Sequence, residues 1–81
     1  MPEQVLTRYP RKHFAITPSD TTKFPKPTTV YVGVAGHVAV KDWASATTVV
    51  YKNMPAGTTL PIQVEQVMAT STTATDLVGL Y

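Results

Sequence analysis

The chain has 81 residues, no cysteine and a formal net charge of +2, so it forms one domain without disulfides or thiolate-bound metals. No apolar run approaches the ~18 residues needed to span a bilayer, and the N-terminal residues lack the apolar segment of a signal peptide. We therefore expect a chain that is made without a signal and does not enter a membrane. Because a domain of this size buries only about 60 % of its surface on folding, association is the expected source of additional stability.

The positive charge is concentrated near the N-terminus. Five cationic and two acidic residues fall within residues 1–26, which gives this part +3 and leaves −1 for the rest of the chain. Residues 1–12 show no hydrophobic periodicity, which predicts an extended arm. Arg8, Arg11 and Lys12 in this arm either form a solvated tail or lie on an acidic surface of a partner. They are the candidate partner-contact residues.

The rest of the chain is predicted to form short strands. Apolar and polar residues alternate with a period of two, and Thr and Val, which favour strands, are abundant. In chain order, the predicted strands are residues 13–17, 28–34, 37–40 and 47–52, a strand carrying Leu60, Ile62 and Val64, and residues 76–81.

The connections between these strands carry their own signals. Ala35-Gly36 separates two alternating runs, which predicts a β-hairpin. Residues 42–46 and 53–57 predict turns, the second because Pro and Gly favour turn geometry. The apolar phase shifts near Glu65-Gln66, as one extra residue would cause, so a β-bulge is expected there.

Together these features predict an all-β fold, a small antiparallel β-sandwich or barrel of about six short strands with an extended N-terminal arm. The arm covers residues 1–12 and the single β-sandwich domain covers residues 13–81. The segment 77–81 is almost entirely apolar. We expect it to be hydrogen-bonded within the sheet, because an unpaired terminal segment would fray.

The sequence offers no catalytic constellation. None of the serines lies in a Gly-x-Ser-x-Gly elbow, and neither His13 nor His37 has a carboxylate neighbour in sequence. Two histidines are too few for a structural zinc site without carboxylate ligands. The segment 33–36 contains two glycines but lacks the Lys-Ser/Thr and the helix of a phosphate-binding loop. We therefore predict a non-enzymatic protein with no catalytic residues, no metal and no cofactor.

Small β barrels can bind nucleic acid or sugar. Barrels that bind single strands combine clustered aromatic side chains with a basic groove, whereas Tyr31, Trp43 and Tyr51 are scattered along a part of the chain with net charge −1. The sequence therefore does not favour nucleic acid as a partner. A carbohydrate could stack on Trp43 and Tyr31, so a small carbohydrate-binding β module stays an alternative.

The C-terminal half carries a more specific pattern. An Asn-x-Pro-x-Gly turn and a Leu-Pro strand precede a threonine-rich segment and a closing apolar strand, and the opening strands add a further match. These motifs are Asn53-Met54-Pro55-Ala56-Gly57, Leu60-Pro61, residues 69–81, residues 14–20 and residues 31–40. Over residues 13–81 the chain resembles the small head-spike base and capsid-associated proteins of tailed bacteriophages and alphaproteobacterial gene transfer agents. The arm departs from that pattern.

The resemblance implies a virion structural protein, a head-spike base or capsid decoration subunit that attaches a spike or fibre to the capsid. It implies a location on the capsid surface after synthesis in the bacterial host cytoplasm, with the major capsid protein and a spike or fibre protein as partners. A cyclic homo-oligomer, five-fold for preference, would also cover strand edges and apolar surface that a small chain leaves open. A tail or baseplate connector of a phage-like particle is the other alternative.

Overall fold

The computed structural model describes residues 10–81, which form one six-stranded antiparallel sheet without a helix. The strand order across the sheet is β1-β6-β2-β5-β3-β4. The strands are β1 (His13–Ile16), β2 (Thr28–Val32), β3 (Gly36–Asp42), β4 (Thr48–Met54), β5 (Thr58–Val67) and β6 (Leu77–Leu80). The predicted all-β class is confirmed. Among the described residues there is no helix that is long and apolar enough to cross a membrane.

The last strand lies inside the sheet. β6 pairs with β1, where Ile16 faces Leu77, and with β2, where Tyr31 faces Val78. The prediction that this segment is hydrogen-bonded within the sheet is therefore confirmed, and β6 joins the first strand to the rest of the fold.

The predicted hairpin between residues 28–34 and 37–40 is wrong. β5 lies between β2 and β3, so these two strands do not pair with each other. The connection between them runs instead against the segment before β6, where the Val34 amide donates to the Thr75 carbonyl at 2.9 Å. A Cβ atom at Gly33 would collide with the carbonyl oxygen and Cβ of Asp76. The glycine therefore serves a close backbone crossing rather than a tight hairpin turn.

The hairpin that does form joins β3 and β4. Its turn begins at Asp42, at the predicted position, and Asp42 holds it closed: its carboxylate accepts hydrogen bonds from the Ser45 hydroxyl at 2.8 Å and the Thr47 amide at 2.7 Å. Because these bonds favour the ionised form, the Ser45 hydroxyl first and then the Thr47 amide lower the pKa of Asp42.

The predicted bulge near Glu65-Gln66 is confirmed. Lys41 faces Gln66 and Asp42 faces Val64, so Glu65 is the extra residue on β5. The shift turns Gln66 inward next to Val67, and both side chains are buried. The Gln66 side-chain amide donates to the Ser19 carbonyl at 2.9 Å, which satisfies a polar group that would otherwise be costly to bury.

The core is built from aliphatic side chains. Fully buried valines and leucine form its centre, and larger, partly buried side chains close its margins. The buried members are Ile16, Val30, Val32, Val38, Val40, Leu60, Val64, Val67, Ala74 and Leu77, with Phe14, Phe24, Tyr51, Met54 and Ile62 packed against them. Each fully buried side chain of this kind contributes roughly 1.5–3 kcal/mol.

The loop after β1 and the loop after β5 are joined by hydrogen bonds. The Asp20 carboxylate accepts hydrogen bonds from the amides of Ala69 at 2.9 Å and Thr70 at 3.0 Å, and from the Thr70 hydroxyl at 2.7 Å. The Thr70 amide and then the Thr70 hydroxyl are the main causes that lower the pKa of Asp20. An ionised Asp20 therefore joins the loop after β1 to the loop after β5.

Candidate interaction surface

One face of the sheet carries an uncharged band of side chains. On the half formed by β1, β6, β2 and β5, side chains alternate between the core and the opposite side, which we call the outer face. The strand register places two rows of four residues across it: His13, Leu80, Thr29 and Gln63 in one row, and Ala15, Val78, Tyr31 and Thr59 in the next. None of the eight is an acid, a lysine or an arginine. The band therefore has no charge that would guard it against contact with another protein.

A basic groove opens at the end of this face where β6 ends. It is an open groove of about 1070 Å³, and its lining includes Arg11, Lys12, Lys26, Leu80 and Tyr81. The lining combines these three cations with the leucine and the tyrosine, which we call the floor. We call this feature the basic groove.

The backbone fixes the position of two of these cations. Lys12 and Tyr81 exchange both backbone hydrogen bonds, at 2.7 and 2.9 Å, and the Arg11 amide also donates to the Tyr81 carbonyl at 2.8 Å. The pairing of β1 with β6 is thereby extended by one residue pair. The side chains of Arg11 and Lys12 remain exposed.

Aromatic contacts hold Tyr81 in place, and the side chain of Lys26, the third cation, lies against its ring. The rings of Tyr81 and Phe14 meet edge to face, with centroids 5.8 Å apart. The Lys26 ammonium lies 5.6 Å from the centroid of the Tyr81 ring, within the range of a cation–π contact. Thr28 donates its hydroxyl hydrogen to the Lys26 carbonyl at 2.8 Å, so the backbone at Lys26 is anchored as well.

Within the described residues, the cationic side chains of the basic groove have no acidic side chain beside them. The ion pair found among residues 10–81 joins Lys23 to Glu65 at 3.7 Å, outside the groove. No acidic residue is among the described residues that line the groove. Its surface is therefore positive and complements a negatively charged ligand.

Of the residues predicted to contact a partner, Arg11 and Lys12 meet in this groove, and Arg8 lies outside the described residues. Lys26 and Tyr81 were missed as candidate residues. Lys26 was visible only as one charge of the basic N-terminal part. The contact of Tyr81 with Lys12 depends on the pairing of the first and last strands, which no local pattern indicates.

The residues considered for chemistry are dispersed. His13 is exposed on the outer face, whereas His37 accepts a hydrogen bond from the Asn53 amide at its Nδ1, at 3.0 Å. Within residues 10–81, no three His, Cys, Asp or Glu side chains lie close enough together to hold a metal ion. Trp43 is 41 % exposed in the β3–β4 turn, while Tyr51 packs against the core.

No protein-family model matches the chain, and no match was found among curated proteins. A solved structure described as the capsid of a native GTA particle, a gene transfer agent, computed with C5 symmetry contains a similar chain. The TM-score is 0.76 at 37 % sequence identity, and the match covers 89 % of this chain and 83 % of that chain.

This likeness defines the class of protein: a capsid-associated structural protein of a gene transfer agent or phage, built on a small antiparallel sheet. It supports a structural role in a virion and suggests a non-enzymatic protein. At this identity and coverage, the chain belongs to the family of that component of a gene transfer agent capsid.

Proposed function

We propose that this protein is a head-spike base or capsid decoration subunit that sits on the capsid surface and attaches a spike or fibre. The observation that carries the proposal is its likeness to a chain of a gene transfer agent capsid across most of both chains. The major capsid protein and the spike or fibre protein are its partners, and it reaches the particle after synthesis in the host cytoplasm. Arg8, Arg11 and Lys12 contribute to its contact with a neighbouring subunit or with the capsid.

The two edges of the sheet supply a route to a cyclic homo-oligomer. β1 pairs with β6 alone and β4 with β3 alone in the described part of the chain. Bonded and non-bonded pairs alternate along an antiparallel ladder. The bonded pair Lys12–Tyr81 therefore directs the backbone groups of His13 and Ala15 away from β6. Unpaired backbone groups at a sheet edge are a template for another strand.

The opposite edge has the same character. The Asp42 amide donates to the Thr47 carbonyl at 3.2 Å, so the alternation directs the backbone groups of Thr48 and Val50 away from β3. Val49 is 51 % exposed on this strand. Because the two free edges differ, pairing β1 of one copy with β4 of the next is head-to-tail, and such contacts form a ring when the rotation between successive copies closes. A five-fold ring is our preferred state, in keeping with the C5 symmetry used for the similar particle.

The test combines sizing in solution with inspection of particles. The protein is measured by light scattering at tens of micromolar, and particles made with and without it are compared by electron microscopy. We expect a ring in solution or on the particle, and loss of that particle feature without the protein. A monomer in solution together with particles that never contain the protein would contradict the proposal.

A matched pair of variants tests the edge. Ala15→Pro removes an outward-directed amide while the neighbouring bonds of β1 to β6 remain, which an edge strand tolerates. Ala15→Ser at the same exposed position keeps the amide. We expect A15P to stay monomeric and A15S to assemble as the unmodified protein does, with both folded by circular dichroism. Equal assembly of the two variants would show that β1 is not the contact edge.

A further inference from the structure

The basic groove has the features of a binding site, and it lies where β1 begins and β6 ends. Arg11, Lys12 and Lys26 converge on one groove, and the ion pair of the described residues lies elsewhere, between Lys23 and Glu65. No acidic side chain of residues 10–81 lines the groove, so its positive charge favours the binding of an anion.

The groove is formed before any ligand arrives. Arg11 and Lys12 are tied through their backbones to Tyr81, and Lys26 lies between Pro25 and Pro27. Proline restricts its own backbone and that of the residue before it. Little backbone freedom is therefore lost when a ligand binds, and this lowers the cost of binding.

The floor of the groove indicates a protein ligand. Leu80 and Tyr81 are half-buried there, and Leu80 continues into the uncharged row of the outer face through Thr29. An apolar side chain of the ligand can contact this floor while acidic side chains on either side of it reach the cations. Nucleic acid fits less well, because stacking of bases needs a free aromatic face and Lys26 lies over the Tyr81 ring.

We propose that the basic groove binds an extended acidic segment of a partner protein, with carboxylates on both sides of an apolar residue. Arg11, Lys12 and Lys26 pair with the carboxylates, and the apolar residue lies on Leu80, beside Tyr81. The inference rests on the proposed function only in that the natural source of the segment is another protein of the particle. Binding itself is a property of this chain.

Binding is measured by fluorescence anisotropy with a labelled peptide of alternating Glu and Ser with a central Leu. The comparison probes are the same peptide with Gln in place of Glu and a labelled oligothymidylate. The variants are Lys26→Gln in the groove and Lys52→Gln on β4, which removes the same charge elsewhere. Circular dichroism confirms that both variants are folded.

We expect the acidic peptide to bind at low ionic strength, the Gln peptide to bind much more weakly, and added salt to weaken binding. K26Q should weaken the affinity by up to about fivefold, the upper end of the range of an exposed charge pair, while K52Q leaves it nearly unchanged. Equal losses in the two variants would mean a non-specific charge effect and overturn the proposal. The absence of binding would also overturn the proposal. So would Lys26-dependent binding of oligothymidylate that is tighter than binding of the acidic peptide.

The two proposals fail in distinguishable ways. A chain that binds the peptide through Lys26 but never enters particles would contradict the proposed function alone. A chain that enters particles and forms its ring but shows no Lys26-dependent binding would contradict the groove proposal alone.

Discussion

Removal of residues 77–81 is expected to abolish folding, because β6 connects β1 to the rest of the sheet. The strand pairs through four residues with β1 and through three with β2. Its Leu77 is 2 % exposed in the core, and replacing such a leucine even by alanine costs about 2–5 kcal/mol. Each lost ladder hydrogen bond adds about 0.5–1.5 kcal/mol. A domain of this length has a total stability of only about 4–12 kcal/mol, so the loss exceeds what the fold can tolerate.

Paired truncation with circular dichroism and sizing tests this reasoning. The control lacks residues 1–7, and we expect it to melt cooperatively, within a few degrees of the full chain. The single substitution Leu77→Ala should fold but with a lower urea midpoint. A soluble protein that melts cooperatively after loss of residues 77–81 would refute the reasoning, since it would show that β1 and β2 do not need β6 between them.

Two further predictions concern packing and acid stability. Gly79→Val should destabilise the fold by about 1–3 kcal/mol, because a Cβ atom there would lie 2.5 Å from the Phe14 ring; an unchanged urea midpoint would contradict the close packing of β6 on β1. The pKa of Asp20 is lowered in the folded state, so the stability from its ionised form is present above its unfolded pKa and lost as the pH falls through that value toward the folded one. Urea midpoints should therefore fall as the pH drops below about 5, less steeply in Asp20→Asn than in the unmodified protein. Parallel pH profiles of the two proteins would contradict a role for Asp20.

The sequence predicted the positions of the strands better than their order in the sheet. Alternation of apolar residues placed the first five strands, and a closing apolar segment placed the sixth. The phase shift at Glu65 located the bulge, because this signal depends only on which side chains face the core. The β2–β3 hairpin failed because Gly33 resembles a hairpin turn locally, whereas it serves a close crossing with Asp76. Insertion of β5 between β2 and β3 depends on contacts between residues distant in sequence, which periodicity does not report.

The candidate surface was predictable only where it depends on local sequence signals. Arg11 and Lys12 stood out as charges ahead of the first strand. Their combination with Lys26 and Tyr81 follows from the pairing of β1 with β6, which no local signal contains. The likeness to the gene transfer agent capsid chain agrees with the resemblance read from the threonine-rich segment and the closing strand.

The position of β6 between β1 and β2 also governs when this protein can fold during its synthesis. A chain emerges from the ribosome from its N-terminus, so β1 appears first, yet its partner in the described sheet is the strand that appears last. β1 must therefore wait, unpaired, while β2 to β5 are made. Pairing between distant segments is slow, and an unpaired strand can associate with other chains. The native sheet can thus be completed only after β6 has left the ribosome, and crowding of nascent chains on one messenger RNA would favour mispairing of β1.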